Sequence, residues 1–189
     1  MEYLDLYLIH TPFSAAVAEP QALQRAWAAM EALQAAGKVR SIGVSNFHAP
    51  HLATILETAK VKPAINQVEF HPYLQHKALQ SLLHEHGIVL AAYGPLTAVT
   101  KAAPGPVDEI LQRLARKYNV TAGEICLRWC VEQGVVAVTT SSKEDRLRQY
   151  LKATAFRMTP REVAEISEAG EGKHYRGFFT DKFAADDRS

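Results

Sequence analysis

Five short apolar runs recur along the 189-residue chain, and longer amphipathic stretches separate them. The runs are "YLDLYLI" (3–9), "VRSIGV" (39–44), "AINQV" (64–68), "IVLAAY" (88–93) and "VVAV" (135–138). Alternation of this kind is the order of strand and helix units wound into a parallel sheet, because parallel neighbours require a long crossover between them. Strands this apolar are expected to be covered on both faces, the opening one included. That leaves a doubly wound open sheet or a closed barrel.

The open sheet would carry a G-x-G-x-x-G turn after its first strand, and the chain has neither that motif nor a phosphate-binding G-x-x-x-x-G-K-[ST] loop. A (β/α)8 TIM barrel is the better fit. Such barrels usually take ~250 residues, so five strands in this length are what strands 4 to 8 of a barrel would supply. The chain is therefore expected to be a single, incomplete barrel domain over residues 1–189, ending in a loop or tail over 170–189.

The intervening helices carry their own punctuation. Pro20 opens one in which Leu23, Ala26, Trp27, Met30 and Leu33 share a face, and Gly37 stands just beyond its end. Thr121 with Glu124 and Thr159 with Glu162 read as capping boxes, the second with Pro160 at the first helical position. Ser142 with Asp145 reads as a cap for a helix over 143–151. Further helices are expected near 49–59, 76–86, 107–118 and 121–133.

Composition narrows the partners. With 21 basic and 20 acidic residues in scattered groups, there is no field to recruit nucleic acid or an anionic membrane. No apolar run approaches the ~20 residues that span a bilayer. Cys126 and Cys130 lie four apart on one helix face and read as small core residues, not as a disulfide or half a metal site. Together these features predict a cytoplasmic protein acting on a small molecule. His84 and His86 in "HEHG" lack metal-ligand spacing, and no metal is implied.

In a barrel of this type, chemistry sits at the C-terminal ends of the strands. Those ends carry His10, Ser45 with Asn46, Gln67 with Glu69, Tyr93, and Thr140 with Ser141. Taken singly, each also reads as a core or turn residue. The segment "TTSSKEDRL" (139–147) follows the last strand, with Lys143 and Arg146 near the start of a helix; it is either an ordinary capped helix or an anion site.

The segments "YLDLYLIHTP", "AAGKVRSIGVSNF", "PAINQVEFHPY", "AAYGPL" and "VVAVTTSSKEDRL" resemble, in order and spacing, the aldo-keto reductase superfamily from its fourth barrel strand to its C-terminus. Within that superfamily the chain is most similar to fungal reductases of aldehydes and ketones. The resemblance implies reduction of a small-molecule carbonyl by hydride transfer from NADPH, with NADH as a possible second cofactor. His10 matches the histidine of the family's catalytic tetrad, which orients the carbonyl. Ser45, Asn46 and Gln67 match the residues that bind the nicotinamide carboxamide, and Tyr93 matches the aromatic stacked on the ring. Gly94 and Leu96 match positions along the pyrophosphate, and Ser141 and Arg146 those that grip the adenosine 2′-phosphate.

Departures from the family pattern carry consequences. The tetrad's aspartate, tyrosine and lysine have no counterpart in this chain, so it is expected to be a truncated form without its general acid. Thr139-Thr140-Ser141 replaces a common Pro-Lys-Ser, which removes one cation from the 2′-phosphate site. Thr11 stands where many relatives place a tryptophan in the substrate pocket. The full-length form implied is a monomer, whereas a fragment with open strand edges would self-associate. A second reading keeps the nucleotide site without catalysis and lets the chain bind a partner through those edges. A third, a barrel lyase or isomerase, lacks the Schiff-base lysine or paired carboxylates it would need at strand ends.

Overall fold

The computed structural model describes residues 2–14 and 19–188. They contain five strands and seven α-helices, which alternate up to β4: β1 (Leu4–Ile9), α1 (Pro20–Ala35), β2 (Val39–Ser45), α2 (Ala49–Leu56), β3 (Ile65–Glu69), α3 (Lys77–His86), β4 (Val89–Tyr93), α4 (Asp108–Tyr118), α5 (Ala122–Glu132), β5 (Val136–Ala137), α6 (Glu144–Leu151) and α7 (Pro160–Glu171). Every strand expected from the sequence is present, within one residue at either end. The described residues group into two compact units. One runs up to Val68 and includes Lys77–Leu90; the other comprises Glu69–His76 and Ala91–Arg188.

In the first unit β1 pairs with β2 in parallel, from Leu4 opposite Val39 to Ile9 opposite Val44. β2 continues onto β3, with Ser45 opposite Gln67, and the Val89 amide that opens β4 donates to the Ala64 carbonyl at 3.0 Å. Gly43 sits where a Cβ would come within 2.7 Å of Ile65 Cγ2 and of the Ile65 carbonyl oxygen, so only glycine lets β2 and β3 approach this closely here. Helix α1 packs on β2 and α2, burying Leu23, Trp27 and Met30, while Leu33 is exposed. The Trp27 indole N–H donates to the Val61 carbonyl, and the Glu31 carboxylate accepts the amides of Lys60 and Val61. Gly37 takes φ +70° just past α1, as its position after the helix predicts.

The expectation that β1 is covered on both faces is corrected. Leu4, Leu6 and Tyr7 are each about two-fifths exposed (39%, 43% and 45%), because β1 ends the strand order and has β2 as its neighbour among the described residues.

In the second unit Phe70, just after β3, donates its amide to the Tyr93 carbonyl. β4 pairs with β5 in parallel, Ala91 opposite Val136 and Ala92 opposite Ala137. Helix α5 is the centre of this unit, with Ile125, Cys126, Trp129 and Cys130 fully buried. Trp129 stacks on Phe70 at 5.0 Å and donates its indole N–H to Ser167 of α7. Both cysteines are free thiols, and burial pushes Cys126 up to about 12, which suits the inert core role read from the sequence.

Both capping boxes form as expected. Thr121 accepts the Glu124 amide while Glu124 accepts the Thr121 amide, and Thr159 and Glu162 repeat the exchange at α7. The expected Ser142 cap does not form: α6 begins from Lys143 without a side-chain cap, and the Ser141 hydroxyl accepts the Lys143 amide instead. The turn is closed by the hydroxyl one residue earlier, with Ser142 in its middle. No described helix is long and apolar enough to cross a membrane.

Glu162 ties α7 to α4. Burial alone would raise its carboxyl, but hydrogen bonds from Lys117, the Thr159 amide and Tyr118 outweigh it and hold the group down to about 2. A depressed carboxyl stabilises the fold above its unfolded value of 4.5, and that contribution is lost as pH falls toward 2. The urea midpoint should therefore drop between those pH values, and Glu162→Gln should flatten part of that slope. Thr121→Ala should cost about 1 kcal/mol in the same measurement at neutral pH.

Candidate functional site

Because the strands are parallel, each delivers its last residues to the same end of its ladder, and in both units those residues are polar. In the first unit β2 ends in Ser45 and Asn46, which are buried. The Ser45 hydroxyl donates to the Gln67 carbonyl at 2.7 Å, and the Asn46 backbone amide donates to the same oxygen at 2.9 Å. Asn46 Nδ2 then donates to the His10 carbonyl at 2.9 Å and to Ser45 Oγ at 3.1 Å. One network thus brings together four of the predicted site residues, His10, Ser45, Asn46 and Gln67.

Asn46 holds φ +62°, a left-handed conformation that asparagine tolerates better than other residues carrying a Cβ. The turn out of β2 therefore depends on this residue twice, through its backbone and through its side chain. Deeper in the unit, the buried Asn66 side chain spans the Phe47 backbone, accepting its amide and donating to its carbonyl. His10 itself is exposed and Thr11 half-buried; the Thr11 hydroxyl accepts the Phe13 amide.

In the second unit the end of β4 opens onto a cavity of about 440 Å³, lined by Tyr93, Gly94, Leu96, Thr140 and Arg146 among others. Gly94 takes φ +65° and its carbonyl accepts the Thr97 amide, which turns the chain out of the strand and along the cavity. Burial and then the nearby Glu69 carboxylate push the Tyr93 phenol well above its ordinary range. Tyr93 therefore stays protonated near pH 7, and its ring lines the cavity. Arg146 supplies a cation to the same space. Ser141 does not line this cavity; its hydroxyl holds the Lys143 amide in the turn that leads into α6.

The sequence places Glu69 among the strand ends without giving it a role, and Phe178 falls in the tail over 170–189. Glu69 is buried at 2% exposure. Its carboxylate accepts the amides of Gly177 at 2.9 Å and Phe178 at 3.1 Å, and the neighbouring His71 contacts it at 3.2 Å. His71 Nδ1 accepts the Tyr73 amide, and burial lowers the ring's affinity for a second proton. The neutral ring therefore carries its proton on Nε2 and donates it to Glu69. Phe178 lies edge-to-face with Tyr93, 5.2 Å between centroids, and lines the same cavity. A buried acid in an apolar strand end signals that donors must exist; that they come from residues 177 and 178 is not visible in the sequence. Among the described residues no group of histidine, cysteine and carboxylate side chains is placed to hold a metal.

The profile of the Aldo/keto reductase family matches residues 1–171. The chain is 37% identical over 179 residues to the NAD/NADP-dependent indole-3-acetaldehyde reductase of Schizosaccharomyces pombe, covering 94% of this chain and 63% of that protein. It is 39% identical over 175 residues to the NADPH-dependent alpha-keto amide reductase of Saccharomyces cerevisiae, covering 89% and 56%. Among solved structures, an aldo-keto reductase from a deep-sea metagenome library superposes with a TM-score of 0.84 at 32% identity, over 95% of this chain and 64% of that one. The Bombyx mori aldo-keto reductase in complex with NADP gives 0.80 at 31% identity, over 89% and 58%. The chain thus spans less than two-thirds of the length of these relatives.

Removing the Asn46 side chain strands the buried Ser45 hydroxyl and the His10 carbonyl and leaves a strained backbone. Asn46→Ala should therefore destabilise the chain by about 1–3 kcal/mol, and Asn46→Gly by less, both read from urea denaturation.

Proposed function

We propose that this chain, which belongs to the aldo/keto reductase family, is the cofactor-binding part of an oxidoreductase that reduces aldehydes or ketones to alcohols. The observation that carries the reading is the cavity at the end of β4, where a neutral tyrosine ring, a left-handed glycine and an arginine face one space. An aromatic surface, a backbone free to approach a ligand and a cation suit a nicotinamide dinucleotide, whose ring, pyrophosphate and 2′-phosphate ask for those three things.

In this reading Tyr93 stacks on the ring and Gly94 and Leu96 lie along the pyrophosphate. Arg146 takes the 2′-phosphate, while Ser141, matched to the same role, stands outside the cavity lining and holds the Lys143 amide. Matched to the family residue by residue, Ser45, Asn46 and Gln67 are assigned the nicotinamide carboxamide, His10 the substrate carbonyl oxygen, and Thr11 the substrate pocket. The hydrogen bonds that Ser45 and Asn46 make to the His10 and Gln67 carbonyls support the assignment, because they fix the Ser45 and Asn46 side chains and the backbone beside them before binding. When bound, the reduced nicotinamide supplies a hydride to the carbonyl carbon. The chain's own contribution is to fix which ring face is presented and to hold the oxygen beside the His10 imidazole.

The proton that completes the alcohol needs an acid, and the residues matched here include none. Tyr93 is assigned to stacking on the nicotinamide ring and His10 to orienting the carbonyl. This chain by itself is therefore expected to bind cofactor without turning over. The relatives named above use NAD or NADP, and Arg146 favours the phosphorylated form here.

Titration of the chain with NADPH, followed by quenching of its intrinsic fluorescence, should saturate, while a nitrobenzaldehyde substrate should not be consumed. Arg146→Ala should weaken NADPH about tenfold, as expected for one charge-assisted phosphate contact, and should leave NADH nearly unchanged. Equal losses for the two cofactors would remove Arg146 from the 2′-phosphate.

A further inference from the structure

Three features of the second unit meet at one carboxylate. Glu69 closes β3, is buried, and points both oxygens at the C-terminal tail, accepting Gly177 and Phe178 amides within 3.1 Å. His71 donates to the same group, which fixes its rotamer from the other side. A lone buried carboxylate is costly, and three donors are what make this one tolerable. The tail is also tied down at Lys173, whose ammonium group donates to the carbonyls of Ala102 and Pro104 in the loop after β4.

The latch has a consequence at the cavity. With Gly177 and Phe178 seated on Glu69, the Phe178 ring stands edge-on to Tyr93, and Lys101 lies 4.5 Å from its centroid. The space beside the Tyr93 ring is therefore shaped by a residue from the far end of the chain, held there by the strand next to β4. Gly177 has little room to be anything else: a Cβ would stand 3.1 Å from Glu69 Oε1 and 3.2 Å from the Tyr175 ring.

We propose that Glu69 is a positioning residue, whose carboxylate seats the tail so that Phe178 becomes a wall of the cofactor cavity beside Tyr93. The part of this that concerns binding rests on the cofactor reading above; the part that concerns the tail does not.

Limited trypsin digestion tests the latch directly, because the Arg176–Gly177 bond carries the amide that Glu69 holds, whereas Lys182 lies beyond it. In Glu69→Ala the cut after Arg176 should accelerate about fivefold relative to the cut after Lys182, with Glu69→Gln in between, since an amide oxygen keeps one acceptor. Gly177→Ala, which crowds the carboxylate from the tail and leaves the body of the fold untouched, should behave like Glu69→Ala even if the latter melts early. A cleavage ratio equal to that of the unsubstituted chain in both variants would overturn the proposal.

NADPH titration then separates positioning from general stability. Phe178→Ala should weaken binding about two- to tenfold, the range of one edge-to-face aromatic contact. Glu69→Ala should weaken it by a similar factor, and the double variant by no more than the larger single loss, because both substitutions remove the same wall. Losses that multiply would overturn the proposal, since Glu69 would then act through something other than Phe178. If the unsubstituted chain binds no NADPH, the cofactor reading fails, and the cleavage ratio alone decides whether Glu69 holds the tail.

Discussion

A parallel ladder cannot be closed by a tight turn, and the rest of this structure follows from that constraint. Each strand must be left by a crossover and entered again from the same side, so every strand exits at the same end of its ladder. β1 and β2 in one unit, and β4 and β5 in the other, obey it with helices between. The strand interiors are apolar, whereas the exits carry polar side chains, among them Ser45 and Asn46 after β2 and Glu69 at the end of β3. Chemistry at strand ends is a property of the topology before it is a property of any residue.

Polar groups placed there are costly to bury unless they are matched, and here the matching is done largely by backbone. Ser45 and Asn46 share the Gln67 carbonyl, Asn66 takes both polar groups of Phe47, and Glu69 gathers two tail amides and an imidazole. Such bonds add modest net stability each, but an unmatched partner costs more than the bond is worth. The result is a set of side chains that are already oriented before any ligand arrives. Fixed donors and acceptors lose less entropy on binding than mobile ones.

Local signals are legible in the sequence where the physics is local. The spacing of Leu23, Trp27 and Met30 marks the buried face of α1, and Thr121 with Glu124 and Thr159 with Pro160 and Glu162 mark two helix starts. The cap assigned to Ser142 misplaces the turn by one residue because Ser141 and Ser142 offer the same hydroxyl, and only backbone geometry separates them. The apolar pattern of β1 overstates its burial because such a pattern records what a strand can pack against, not which neighbours it has. The Glu69 latch is out of reach, since its donors are peptide amides at Gly177 and Phe178 and no side-chain identity announces them. The resemblance to a family supplies roles for individual residues that composition and periodicity could not.

Hydrogen–deuterium exchange of the chain with and without NADPH tests most directly whether a dinucleotide is held by the strand ends. Protection on binding is expected in the segments that include Ser45 and Asn46, Tyr93 to Thr97, and Thr140 to Arg146, with little change in α4 and α7. Protection confined to the α4 and α7 surface, or none at the strand ends under saturating cofactor, would contradict that claim.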